Sequence, residues 1–116
     1  MKPGSLPGAP PHVAGWERPS DGVVWTPEAI QDRSDIYDHI EADNPAAALA
    51  LDELFAEKAG RLADHPGLGK PGRVAGTREL VAHQNYILVY DTSGGLIRIL
   101  RVLHAARQWP PSRVGT

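Results

Sequence analysis

The sequence predicts an α+β domain with the order β-α-α-β-β-β, a helical hairpin packed on one face of a small antiparallel sheet. Three observations predict it. Between Thr26 and Pro66 two stretches carry apolar residues at helical spacing, each bounded by proline and capping residues. After Gly76 come three segments rich in Val, Ile, Leu and Tyr, joined by links too short for crossover helices. One short apolar run, Val23-Val24-Trp25, stands ahead of the first helix and reads as a short strand.

Each element has a local cause. Thr26-Pro27-Glu28 supplies a hydroxyl cap, a proline at the first helical position and an acid in the first turn. Ala29, Ile30, Ile36, Tyr37 and Ile40 then recur at helical spacing, with Asp32, Asp35 and Glu41 on the wetter side. Asn44-Pro45 stops this helix and caps the next, whose inner stripe is Leu51, Leu54, Phe55, Lys58 and Leu62. His65-Pro66-Gly67 ends it, and so short a link between the helices makes them an antiparallel hairpin. Leu68 to Gly76 reads as a Gly/Pro/basic loop. Strands are predicted over Arg78–Ala82, Tyr86–Asp91 and Leu96–His104, with a hairpin turn at Ser93-Gly94-Gly95 and antiparallel meander pairing.

Composition narrows the class. At 116 residues the chain fits one domain, with a Pro/Gly-rich extension at 1–22, a body at 23–110 and a short tail at 111–116. No apolar run approaches the roughly 20 residues that span a bilayer. The absence of cysteine removes disulfides and thiolate chemistry, and the cytoplasm is the expected compartment. The five histidines lack close metal-ligand spacing, so neither a metal nor another cofactor is expected. Charge is segregated. Residues 1–69 carry five basic and twelve acidic side chains (−7), whereas residues 70–116 carry seven basic and two acidic ones (+5). That polarity predicts a cationic surface that meets an anionic partner.

Several words in the body resemble the RelE/ParE superfamily of type II toxin–antitoxin toxins. They are Val24-Trp25-Thr26-Pro27-Glu28-Ala29, Asn44-Pro45-Ala46-Ala47, the run from Gly72 to Val81, Asn85-Tyr86-Ile87-Leu88-Val89-Tyr90, and Ile99-Leu100-Arg101-Val102-Leu103-His104 with Ala105–Pro110. The resemblance implies a bacterial growth-arresting toxin neutralised by a cognate antitoxin whose C-terminal segment wraps it. Complexes of this kind bind their own operator DNA through the antitoxin. Superfamily members divide into ribosome-dependent mRNA endonucleases and DNA gyrase inhibitors. RNA-cleaving relatives place an arginine where this chain has Ile87, and a lysine pair or glutamate in the preceding loop, where Lys70 stands alone. The resemblance therefore points toward the ParE-like branch and a non-enzymatic inhibitor. A metal-independent endoribonuclease is the alternative.

Were the chain a nuclease, His104, Arg78 and Arg101 would be the catalytic candidates, as acid or base and as cations on the phosphate. His104 also reads as a strand-end histidine bonded to backbone. Strict alternation puts Arg98 and His104 on one side with Leu100 and Val102, and Arg101 on the other with Ile97, Ile99 and Leu103. Arg101 accordingly has a second reading, as a structural ion-pair member. Arg73, Arg78, Arg98, Arg107 and Trp109 are the candidates for contact with target or antitoxin, with Trp109 either stacking on a partner or folding back on the core. Glu28, Asp32 and Asp35 read as a solvated helix face. An acidic antitoxin segment is expected on the basic sheet face and in the groove beside the hairpin.

Overall fold

Residues 22–105 are described by the computed structural model. β1 (Val23–Trp25) leads into α1 (Pro27–Glu41) and α2 (Pro45–Asp64), followed by β2 (Lys70–Pro71), β3 (Arg78–His83), β4 (Tyr86–Ser93) and β5 (Leu96–His104). The strands form one sheet in the order β1-β5-β4-β3-β2. β3, β4 and β5 pair antiparallel, as expected, and β2 is antiparallel to β3, but β1 runs parallel to β5, with Val23 opposite Ile97 and Trp25 opposite Ile99. The sheet is therefore mixed. The helical hairpin is long enough to act as a crossover, so β1 covers the far edge of β5 and helps to bury Ile97 and Ile99. The other edge, read as loop from the sequence, carries the two-residue strand Lys70–Pro71, where a proline blunts further pairing.

The caps act as the sequence suggests. The Thr26 hydroxyl accepts from Ala29 N–H at 3.1 Å, and Asn44 Oδ1 accepts from Ala47 N–H at 3.1 Å, each just ahead of a first-turn proline. Thr26 also donates to Leu100 C=O at 3.0 Å, so one side chain serves both a helix start and the last strand. Thr26→Ala is expected to cost about 1–2 kcal/mol in chemical denaturation, with Thr26→Ser near wild type. Gly94 and Gly95 both have positive φ, 57° and 83°, which a two-residue hairpin turn between right-twisted strands demands.

The core lies between the hairpin and one sheet face. It joins Ala29, Ile30, Leu51, Phe55, Ala59 and Leu62 to Val23, Trp25, Leu88, Tyr90, Ile97, Ile99 and Val102. Ala59 takes the inner position assigned from the sequence to Lys58, which is half-buried. A second correction concerns β5. Tyr90 pairs with Ile99 and Val89 with Arg101, which leaves Leu100 as an extra residue, a β-bulge. Alternation resets there, so that Ile97, Ile99 and Val102 are all buried. The bulged Leu100 carbonyl is the one that Thr26 satisfies.

A basic site divided, beside an acidic cleft

Among the described residues, the cations predicted to share one surface do not gather. Arg98 lies on β5 at the hairpin end and forms a two-pronged pair with Asp91 of β4, Nε to Oδ1 at 2.9 Å and Nη2 to Oδ2 at 2.7 Å. The Asp91 hydrogen bonds and charge raise the Arg98 pKa above its ordinary value. Arg101 donates to Asp32 of α1 through Nε at 2.6 Å and Nη2 at 3.0 Å. Its pKa is also raised, first by the Asp32 hydrogen bonds, against a smaller opposing effect of burial. The ion-pair reading of Arg101 holds, and Asp32 is no solvated acid. It also accepts Val102 N–H at 3.0 Å, where β5 runs on past the end of β1.

Arg78 spends a guanidinium N–H on Gly69 C=O at 2.7 Å. Arg73 stays half-exposed, with its Nε 3.7 Å from the buried Glu79 carboxylate, which also accepts the Arg73 backbone N–H at 3.0 Å. Arg107 and Trp109 lie outside the described residues. From Arg98 to His104 is six residues of strand, about 20 Å. The expectation of a single cationic landing zone is thus corrected. Sequence charge counts ignore partners, and Asp91, Asp32 and Glu79 lie against three of these arginines.

One part of the basic half is rigidly presented. The buried Tyr90 hydroxyl accepts Gly69 N–H at 2.9 Å and donates to Pro66 C=O at 2.7 Å. A side chain on Gly69 would put its Cβ 2.7 Å from the Tyr90 oxygen and 2.8 Å from Glu79 C=O, so only glycine fits. With Arg78 and Glu79 this fixes the start of the loop, and exposed Lys70 and Arg73 project from it.

At the other end a cleft of about 490 Å³ opens between α1 and the ends of β4 and β5. Asp32, Asp35, Ile36 and His39 line it from the helix, and Tyr86, Arg101, Leu103 and His104 from the sheet. The rings form a cluster around Tyr86: Phe55 edge-on at 5.7 Å, His104 edge-on at 5.3 Å and His83 tilted at 6.2 Å. Of the nuclease candidates, Arg101 and His104 share this cleft, while Arg78 sits with the basic loop. Ile87 of β4 is opposite Val81 and Leu103 in an apolar row. Among the described residues no group of His, Asp or Glu could hold a metal ion, and no helix is long and apolar enough to cross a membrane.

A residue missed by sequence reasoning ties the hairpin together. Arg33, buried between the helices, donates Nε to Asp52 Oδ1 at 2.7 Å and Nη2 to Oδ2 at 3.1 Å, with its guanidinium 4.4 Å from the centre of the Trp25 ring. Burial lowers the Arg33 pKa, and the Asp52 hydrogen bonds and charge oppose that. Position 33 falls on the same helical stripe as Ala29, Ile30, Ile36 and Tyr37, which is the only sign of it in the sequence.

A helical hairpin on one face of a mixed five-stranded sheet is the fold that this chain shares with a solved chain of a ParDE toxin–antitoxin system. The model of the "ParE toxin of type II toxin-antitoxin system, parDE" matches residues 23–109. This chain belongs to the ParE toxin family. It is 40% identical over 89 residues to "Putative toxin Y4kP" of Sinorhizobium fredii, covering 76% of this chain and 92% of that one. It is also 38% identical over 85 residues to "Toxin RelE2" of Caulobacter vibrioides, covering 73% and 96%. A solved chain from the "Chromosomal ParDE TA system from P. aeruginosa" superposes with a TM-score of 0.64 at 28% identity, covering 73% of this chain and 98% of that one. The family implies a cognate antitoxin as partner.

Proposed function

We propose that this toxin arrests growth by binding a protein target, DNA gyrase, and performs no chemistry of its own. The observation that carries this reading is the commitment of the cations a nuclease would need. Metal-free RNA cleavage requires charge held on the scissile phosphate beside an acid and a base. Here Arg101, in the cleft with His104, has its guanidinium on Asp32, and Arg78 is turned toward Gly69 C=O away from that cleft. Ile87 offers no cation either. The rigid loop bearing Lys70 and Arg73 supplies a preorganised basic contact, which suits recognition. Purified gyrase should lose DNA supercoiling activity as toxin is added to excess. Full activity at saturating toxin rejects the target.

A second reading, ribosome-dependent mRNA cleavage, draws on one observation: His104, Tyr86 and Arg101 share a cleft. The name "Toxin RelE2" of the Caulobacter relative is consistent with it. It requires codon-linked cuts in translated messages by primer extension, and intact messages dismiss it.

A further inference from the structure

We infer that the chain's own C-terminal tail straps the outer face of the sheet, seating the Trp109 ring on an apolar row formed by Val81, Ile87 and Leu103. Such a strap lies on the face opposite the core and is independent of the target the toxin binds.

The strand alternation defines the row. On β4, Tyr86, Leu88 and Tyr90 pack toward the helices, which sends Ile87, Val89 and Asp91 to the other face. Part of that face is already closed. The Glu79 carboxylate accepts Arg73 N–H at 3.0 Å, and Glu79 and its cross-strand partner Val89 are 3% and 0% exposed. Beside them Val81 and Leu103 both pair with Ile87, so one aliphatic side chain from each of three strands stands in line. Val81 is 57% exposed, more than Leu49 or Leu68, while Ile87 and Leu103 are half-buried. Covering this line removes apolar surface from water, which is favourable.

Size and reach choose the occupant. Three side chains, two of them half-buried, fall far short of the roughly 800 Å² per partner that a stable dimer buries. They suit one aromatic ring, which buries about 150–250 Å². The tail brings such a ring to the right end of the sheet. Ala105 N–H donates to Asn85 C=O at 2.7 Å, so the chain leaves β5 two residues past Leu103, beside the turn that joins β3 to β4. Val81 lies two strands across from Leu103, about 10 Å. The four residues from Ala106 to Trp109 span up to about 13 Å, enough to reach any point of the row. The match to the family model begins only at residue 23 yet runs on through 109, so the positions up to Trp109 go with the domain.

The chain has no cysteine, so disulfide trapping reports on engineered pairs alone. In the full chain Val81→Cys is combined with Pro111→Cys, two residues beyond the ring, and mild oxidant is added at low protein concentration. The control pairs Pro111→Cys with Leu49→Cys, similarly exposed but on α2. The bridge to position 81 should close within one chain about tenfold faster than the bridge to position 49, because a docked tail raises the local concentration of its thiol. Adding Trp109→Ala should abolish that advantage, and Trp109→Phe should keep most of it. Equal closure rates in the two pairs overturn the strap, as does an advantage that survives Trp109→Ala. Disulfide-linked dimers in place of the internal bridge also overturn it and assign the row to a second copy. Gyrase plays no part in the readout, so failure of that target leaves the strap standing.

Discussion

Asp52→Ala is expected to destabilise the fold by about 3–5 kcal/mol, enough to lower the melting temperature of so small a domain by more than 10 °C. Arg33 has a side chain only 5% exposed and Asp52 one 16% exposed, so the loss of the acid strands a cation between two helices and the Trp25 ring. The geometry that keeps burial tolerable is the two-pronged contact on Asp52 together with a third bond, from Nη2 to Asp52 C=O at 3.3 Å. Without the carboxylate, the Asp52 hydrogen bond and charge that oppose the effect of burial on the Arg33 pKa are lost. The double variant Arg33→Met, Asp52→Leu should recover most of the loss, because a buried ion pair stabilises little over apolar packing of similar volume. Urea titrations of the single and double variants measure both. An Asp52→Ala protein within 1 kcal/mol of wild type contradicts the assignment.

Asp32→Ala is the second large effect, about 2–3 kcal/mol. Its carboxylate takes three donors, two from Arg101 and the Val102 backbone N–H, and so closes the length of β5 that β1 does not reach. Removal leaves the Val102 N–H without that acceptor and releases Arg101, whose side chain is 31% exposed and can partly rehydrate. Arg101→Met should therefore cost less than Asp32→Ala, since it leaves Asp32 in place for Val102. The raised Arg101 pKa adds stability that is complete below the ordinary arginine range and is lost only as pH climbs through the raised value. Mild alkali should leave this contact intact. Paired denaturation curves at pH 7 and pH 9 test the order and the pH independence together.

What could be read from the sequence was mostly local. Thr26-Pro27 and Asn44-Pro45 mark their helix starts because caps depend on neighbours within four residues. Gly94-Gly95 marks its hairpin for the same reason, and Leu96–His104 is observed with the bounds expected. The misreadings are non-local. Nothing within Val23-Val24-Trp25 says which strand it joins, and its partner lies more than seventy residues on. Alternation along β5 fails at Leu100 because a bulge depends on two strands and on a threonine from a third element. Arg101 and Asp32 are 69 residues apart, so no local pattern shows that the cation of β5 and the acid of α1 neutralise each other. The charged half of the chain was real as composition and misleading as a surface.

A mechanism that works by binding needs no proton transfer, and His104 is the residue that separates it from cleavage. It sits exposed at the end of β5 with its ring against Tyr86, where alanine leaves the core untouched. The decisive measurement is growth after induction of His104→Ala, beside wild type, in cells lacking the antitoxin and at matched protein levels. Arrest as deep as that of wild type is expected. Normal growth of the variant, at equal abundance, would mean that the histidine does chemistry and that this toxin cuts RNA.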